Sequence, residues 1–178
     1  PDIQFHFAAL SADMAGGKVH PFPGFTMSVC QLRPTSHGSV LVKSRDPGEA
    51  PALRPNYLAT EFDQQTMVAG LKVARSIAHS EPMREYTLDE YKPGATVATD
   101  DDLLDFVRGN GATIFHPAGT CKMGTDPLAV VDPQLRVRGM DALRVIDCSV
   151  MPTIVSGNTN WPVVMIAEKA ADLLLRGH

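Results

Sequence analysis

The stretch "TIFHPAGTCKMG", residues Thr113 to Gly124, places one histidine between an apolar tripeptide and a Pro-Ala-Gly-Thr turn. Pro117 restricts the preceding residue to extended geometry, so we expect a strand or helix to end at Phe115 and His116 to follow it. Side chains held at such element ends by a rigid scaffold are common in catalysis. A single histidine is more often structural than catalytic. The role of His116 must therefore be inferred from the rest of the sequence.

The first part of the chain shows the two-residue period of strands. Ile3, Phe5 and Phe7 alternate with polar residues, which predicts a half-buried strand. Further strands are predicted in "FTMSVCQLRP", "SVLVKS" and "LRPNYL". The last of these is expected at a sheet edge, because Pro55 cannot donate a hydrogen bond to a sheet ladder.

Two helices are predicted between these strands and His116. Thr60 with Asp63 resembles a capping box, and the helix that it opens should stop before Pro82. A second helix should begin at Thr99, where three aspartates complement the positive end of the helix. The glycines of "RGNG", residues 108–111, can end this helix with a positive φ.

Beyond Gly124, the segment from Val130 to Pro152 predicts two short strands. The second, "LRVID", is nearly continuous in apolar residues, as a buried strand would be. A last helix should follow, capped by Asn158 or Asn160. The pattern predicts an α+β fold, with an antiparallel or mixed sheet of about five to six strands packed against helices.

Composition excludes several classes of function. The chain has 178 residues, of which 44% are hydrophobic. Its net charge of −4 does not favour binding to nucleic acid, which is itself negatively charged. Three widely spaced cysteines, Cys30, Cys121 and Cys148, form no disulfide framework and favour a reducing compartment. No apolar run approaches the ~20 residues of a membrane span. We therefore predict a cytoplasmic protein.

His116 and the last helix suggest one chemical arrangement. A helix N-terminus offers unpaired N–H groups and positive potential that stabilise negative charge, and a nearby histidine could remove a proton. Two alternatives stay open from the residues alone. One is a ligand-binding module without chemistry. The other is a metal site, which we do not expect because the candidate ligands His6, His20, His116 and Cys121 lack tight spacing.

Three stretches resemble the C-terminal region of the glucose–methanol–choline (GMC) flavin oxidoreductases, in the branch of choline and alcohol dehydrogenases. They are "FHPAGTCKMG" (115–124), "VVDPQLRVRGMDALRVIDCSVMP" (130–152) and "SGNTNWPVVMIAEKAADLLL" (156–175). The chain begins at Pro1 and contains no G-x-G-x-x-G loop that follows a strand and opens a helix. The resemblance therefore implies the C-terminal part of a longer enzyme. Residues 1–124 would form most of its substrate-binding domain, and residues 125–178 would return to complete its FAD domain.

The resemblance also implies roles for individual residues. His116 would accept the hydroxyl proton of a primary alcohol while hydride leaves for flavin N5, and Asn160 would hydrogen-bond the alcohol oxygen. FAD contacts are expected at four further positions: Asp147, Cys148, Asn158 and Thr159. Phe22, Phe25, Phe115 and Trp161 are possible liners of a substrate site, although each is expected more often in core or loop packing.

The implied partners are a small primary alcohol and the N-terminal part of the same protein, which would hold FAD through its βαβ unit. The chain by itself is expected to lack FAD and activity, and to self-associate through apolar surface left uncovered. Choline, another short alcohol and a longer alcohol stay open as substrates. Oxygen, a quinone or another carrier stay open as electron acceptors, and a quinone would associate the full-length enzyme with a membrane.

Overall fold

The computed structural model describes residues 1–14 and 16–176. Two compact units are present: the first comprises Pro1–His37 and Asn56–Ala112, and the second comprises Gly38–Pro55 and the chain from Thr113 onward. The elements are β1 (Ile3–Ala8), β2 (Thr26–Gln31), β3 (Ser39–Leu41), β4 (Ala52–Arg54), α1 (Glu61–Ala78), α2 (Glu81–Arg84), α3 (Asp100–Asn110), a 3₁₀ turn (Cys148–Val150) and α4 (Asn160–Leu175). The fold is α+β, as predicted. The predicted functional boundary at residue 124 stays a prediction.

Within the described residues, the strands form two separate two-stranded antiparallel sheets, so the prediction of five to six strands was wrong. In the first unit, β1 pairs with β2 from Ile3 opposite Gln31 to Ala8 opposite Thr26. In the second unit, β3 pairs with β4 over three residues.

The two strands predicted between Val130 and Asp147 are replaced by isolated bridges, such as Val131 with Val137 and Arg136 with Arg144. Local turn chemistry is the reason. The Asp132 carboxylate accepts hydrogen bonds from two backbone N–H groups, those of Gln134 and Arg136. Leu135 and Ala142 have φ values of 64° and 57°, which a continuous extended ladder does not allow.

The N-cap of α3 agrees with the prediction, whereas its C-terminal end and the N-cap of α1 depart from it. Thr99 and Asp102 form the full capping box at α3, although Gly111 ends that helix at φ −66°, not at the predicted positive φ. At α1, the Thr60 hydroxyl accepts a hydrogen bond from the Asp63 N–H at 3.3 Å. The Thr60 N–H instead donates to the Ser36 hydroxyl at 3.2 Å, so only half of the predicted box forms.

The Asp63 carboxylate joins the chain after β2 to the start of α1. This side chain is buried, with 1% of the residue exposed. One oxygen accepts hydrogen bonds from Gln31 Nε2 at 2.9 Å, from the Thr35 N–H at 2.9 Å and from the Thr35 hydroxyl at 3.1 Å. The other accepts from the Ser36 N–H at 2.8 Å. Burial alone would raise the pKa of Asp63, but hydrogen bonds from Ser36, Thr35 and Gln31 outweigh burial and hold it well below its ordinary value.

The helices α1 and α3 of the first unit carry most of its buried apolar residues. α1 lies against β2 and α3. The buried apolar residues of this unit are Leu32, Val68, Leu103 and Val107. Gly70 allows the close approach of α1 to β2, because a Cβ at that position would lie 2.5 Å from Val29 Cγ1.

Replacing Gly70 by alanine should therefore destabilise the protein. The β-branched Val29 side chain has little rotamer freedom with which to move away, and overpacking of this kind costs about 1–3 kcal/mol. That cost should exceed the roughly 1 kcal/mol that alanine gains over glycine in a helix. Gly109→Ala in α3 is the control, because no atom lies within 4 Å of its added Cβ. Urea unfolding should show a loss for Gly70→Ala and no loss for Gly109→Ala; a gain in both would contradict this packing.

The core of the second unit is formed by apolar residues from irregular segments and from α4. Val131, Leu135, Val150 and Ala170 are buried together, with Ile166 of α4 packed against them. The other face of α4 exposes Trp161 (77%) and Met165 (61%). A membrane-crossing helix would need a longer apolar stretch than any helix in the described chain has.

Candidate active site

His116 lies on irregular chain, which corrects the prediction that a strand or helix ends at Phe115. α3 ends at Asn110, and residues 111–119 form neither a helix nor a strand. Phe115 has φ 60°, a left-handed conformation that interrupts extended backbone. Its N–H is bound by the Thr113 hydroxyl at 3.0 Å, and its ring is exposed. The His116 side chain that follows is half-buried.

The chain just after His116 is anchored on a turn from a distant part of the sequence. The Cys121 N–H donates to the Ser149 carbonyl at 3.0 Å, and the Met123 N–H donates to the Val150 carbonyl at 2.8 Å. Gly119 takes φ +88°, with its Cβ position 3.4 Å from the Met151 carbonyl. A side chain would be strained at that φ, which explains the glycine of the "PAGT" turn.

The turn itself, residues 147–151, is ordered by Asp147 and Cys148. The Asp147 carboxylate caps the 3₁₀ turn by accepting a hydrogen bond from the Ser149 N–H at 2.7 Å. Cys148 Sγ lies 3.9 Å from Met151 Sδ. Burial raises the pKa of the Cys148 thiol, although a hydrogen bond from the Thr159 hydroxyl acts in the opposite direction. Cys148 and Thr159 are therefore brought together, and their predicted FAD contacts stay predictions.

The start of α4 differs from the predicted cap. Thr159, not Asn158 or Asn160, is the N-cap residue, and its side chain makes no capping hydrogen bond. The reason is conformational: Thr159 has ψ −12°, whereas capping side chains act from extended backbone. Thr159 is buried, while Asn158 and Asn160 on either side of it are exposed. The first N–H groups of α4 thus have no acceptor from their N-cap side chain, unlike those of α1 and α3.

One turn therefore anchors both segments that carry the predicted catalytic residues. His116 lies three residues before Gly119, a chain length of at most about 10 Å. Asn160 directly follows Thr159, whose hydroxyl meets Cys148 in the same turn. A base and an amide donor can act on one hydroxyl group only where both lie within hydrogen-bond reach of it.

Comparison with known proteins identifies the family. The family model described as GMC oxidoreductase matches residues 34–167, which is most of the chain. The chain belongs to the GMC oxidoreductase family. The predicted resemblance to this family is thereby confirmed.

Individual GMC relatives cover almost the whole chain. It is 43% identical over 99% of its length to an alcohol dehydrogenase [acceptor] from Pseudomonas putida, and 42% identical over 98% to an oxygen-dependent choline dehydrogenase from Escherichia coli O45:K1 (strain S88 / ExPEC). A structure of formate oxidase from Aspergillus oryzae RIB40, solved to study FAD modification, matches all of the chain with a TM-score of 0.91 at 27% identity.

The chain spans about a third of the length of these GMC relatives, 32% of the Pseudomonas putida enzyme, 31% of the Escherichia coli enzyme and 32% of the formate oxidase chain. The activity, substrate and partners of a whole enzyme therefore belong to the proposals below.

The remaining sequence-predicted residues take other positions. Phe115 and Trp161 are largely exposed, while in the first unit Phe25 stacks on Phe7 with ring centroids 5.4 Å apart. His6 and His20 belong to the first unit, and His116 and Cys121 belong to the second. Among residues 1–14 and 16–176, no three His, Cys, Asp or Glu side chains are grouped so that they could hold a metal.

Proposed function

We propose that this chain supplies the catalytic base and the oxygen-binding donor of a FAD-dependent GMC oxidoreductase that oxidises a primary alcohol to an aldehyde. The observation that carries the proposal is the turn at residues 147–151, which anchors both the His116 segment and the start of α4. Family membership supports it, because relatives of this chain include alcohol and choline dehydrogenases.

His116 is the proposed general base. Histidine is the side chain that most often serves as a general base in proton transfer. Removal of the hydroxyl proton produces an alkoxide, and an alkoxide releases a hydride from its carbon far more readily than an alcohol does. The half-buried position of His116 leaves part of the side chain accessible to a small molecule.

Asn160 is the proposed donor to the alcohol oxygen. Its exposed amide stands on the first residue of α4, where the positive end of the helix stabilises negative charge that develops nearby. The backbone N–H groups of this first turn, which lack an N-cap acceptor, fit the electron-rich edge of a flavin ring. FAD, when bound, would supply the acceptor for the hydride.

Four residues would hold FAD: Asp147, Cys148, Asn158 and Thr159. The Asp147 carboxylate is already bound to the Ser149 N–H, so its proposed contribution is to shape the turn beside the cofactor. The raised pKa of Cys148 keeps its thiol protonated at neutral pH, which leaves a neutral group near the cofactor. Residues 1–124 would contribute the substrate-binding domain and residues 125–178 the end of the FAD domain.

The rest of the longer protein, called the parent enzyme below, would hold the FAD pyrophosphate through its N-terminal βαβ unit. The present chain covers only about a third of its relatives. We propose that the chain alone binds no FAD and is inactive, and that apolar residues such as Trp161 and Met165 favour self-association until the remainder covers them.

Two asparagine variants of the parent enzyme test this assignment. Asn160→Ala should lower kcat by about 10²-fold, because it removes a donor that acts as charge develops on the oxygen. Asn158→Ala is the matched control, two residues away and also exposed, and should change flavin affinity or stability more than kcat. Asn160→His should retain part of the activity, since an imidazole can also donate.

Steady-state kinetics, with the flavin content measured by absorbance, distinguish these outcomes. A normal kcat in flavin-loaded Asn160→Ala enzyme would contradict the proposed role of Asn160. An equal loss of kcat in both alanine variants would assign the two asparagines to the structure of the loop.

A further inference from the structure

The backbone bends at Phe115, one residue before the proposed catalytic base. Phe115 takes φ 60°, in the left-handed region that a bulky residue rarely adopts. The conformation is unfavourable because it brings the Cβ of an L-residue too close to the following carbonyl oxygen. Residues in such conformations persist only where the surrounding structure holds them, and they are concentrated at functional sites. Whatever holds Phe115 therefore bears on the position of His116.

Packing of the Phe115 ring within this chain does not account for the conformation, because 81% of the residue is exposed. Leu135 provides the contrast. Its φ is 64°, but the residue is only 5% exposed and belongs to the apolar core of the second unit. Burial of apolar surface can offset the strain at Leu135, whereas Phe115 needs a different interaction.

The Thr113 hydroxyl supplies that interaction. It accepts a hydrogen bond from the Phe115 N–H at 3.0 Å, which closes a local turn over residues 113–115. Threonine hydroxyls stabilise turns in this way, by offering an acceptor to backbone two residues further on. Among the described residues, no other backbone N–H from position 112 to position 120 donates a hydrogen bond. The turn is thus the local restraint on the chain that leads into His116.

The backbone of His116 is restrained from both sides. The turn made by Thr113 and Phe115 precedes it, and Pro117 favours extended geometry at His116 itself. Further along, the chain is hydrogen-bonded to the turn at residues 147–151. The imidazole makes no hydrogen bond within the part of the chain that the structure describes. Within this chain, the direction of the His116 side chain therefore follows from its backbone.

We infer that Thr113 is a positioning residue for His116, an inference that rests on the proposed role of His116 as the general base. The Thr113 hydroxyl keeps Phe115 in its left-handed conformation, and that conformation sets the direction from which the imidazole meets the alcohol. Without this acceptor, Phe115 relaxes toward negative φ and the chain changes direction at His116. A misplacement of about 1 Å in a catalytic group can cost as much as 10²-fold in rate.

Substitutions of Thr113 in the parent enzyme test this role. Thr113→Val keeps the shape of the side chain but removes the acceptor, and should lower kcat by about tenfold while KM changes by less than about twofold. Thr113→Ser keeps the hydroxyl and should retain most of kcat. Thr66→Val is the matched control, because it removes a threonine hydroxyl that donates to the Phe62 carbonyl at 2.8 Å within α1. It should leave kcat within about twofold.

Two double variants distinguish positioning from a general loss of stability, with kcat expressed per bound flavin. In a His116→Ala background, Thr113→Val should lower kcat by no more than about a further twofold, because the group that it positions is absent. In a Phe115→Gly background, Thr113→Val should lower kcat by less than about threefold, since glycine takes positive φ without support. A general loss of stability would persist in both backgrounds.

The outcomes also separate this inference from the function on which it rests. Near-normal kcat in His116→Ala would remove the base, and the positioning role with it. A slow His116→Ala enzyme together with a normal kcat in Thr113→Val would overturn the positioning role alone. Equal losses in Thr113→Val and Thr113→Ser, or an undiminished loss in the His116→Ala background, would also overturn it, because the hydroxyl would then not act through the imidazole.

Discussion

Replacing His116 by alanine in the parent enzyme should lower kcat/KM for its alcohol by about 10²- to 10⁴-fold, the usual contribution of a general base. Without the imidazole, the hydroxyl proton has no acceptor held beside it, so hydride release must begin from the neutral alcohol. Flavin content should be unchanged, because His116 is not among the residues proposed to hold FAD. Steady-state kinetics together with the flavin absorbance of the purified variant measure both quantities.

The matched control for this variant is His79→Ala. His79 is an exposed histidine at the C-terminal end of α1, outside the proposed site, and its ring lies 2.8 Å from the Arg75 carbonyl. It should alter kcat/KM by less than about twofold, as expected of an exposed position. Near-normal turnover in His116→Ala at neutral pH would remove His116 from the mechanism.

Asp63→Ala should be the most destabilising substitution in the first unit, with an expected loss of about 3–5 kcal/mol in unfolding free energy. It leaves the Gln31 amide and the Thr35 and Ser36 N–H groups without their buried carboxylate acceptor. Asp105→Ala is the control, because that carboxylate is exposed on α3 and pairs only at the surface with Arg108. Urea unfolding of both variants measures the difference, and losses of equal size would contradict the buried network.

The same carboxylate predicts how stability depends on pH. The folded state holds the Asp63 pKa well below the value of about 3.9 expected in an unfolded chain. The stabilisation is therefore fully present above about pH 5 and is lost as the pH falls toward and through the folded-state pKa. Asp63→Asn should lack this contribution, so its unfolding free energy should change less between pH 6 and pH 3 than that of the unsubstituted protein. An identical pH dependence in the two proteins would contradict the assignment.

The three long helices and the paired strands β1 and β2 could be predicted from sequence because their signals are local. Thr60 and Thr99 cap α1 and α3 through residues three positions away, and the apolar alternation at Ile3 to Phe7 needs no distant partner. The short helix α2 was not predicted, because Pro82 indicated the end of a helix and lies instead in the first turn of a new one.

The prediction of two strands between Val130 and Asp147 was wrong because of local backbone turns that the apolar pattern does not reveal. Leu135 and Ala142 take positive φ values that such residues rarely adopt, so their residue types do not predict a turn.

The candidate site depends on contacts between distant parts of the sequence. Nothing near His116 indicates that Cys121 and Met123 will bind the carbonyls of Ser149 and Val150, almost thirty residues away. The glycine of "PAGT" was the one local signal, because a turn with positive φ favours it. Likewise, the sequence offered Asn158 or Asn160 as the cap of α4. The N-cap residue is instead Thr159, and the helical ψ that keeps its side chain from capping is a property of the folded loop.

The measurement that tests the central proposal most directly is a crystal structure of the dithionite-reduced parent enzyme soaked with its alcohol, which cannot then turn over. We expect an imidazole nitrogen of His116 and the Asn160 amide nitrogen each to lie about 2.6–3.2 Å from the same alcohol oxygen. An alcohol bound at full occupancy beside the flavin with its oxygen in contact with neither side chain would contradict the account.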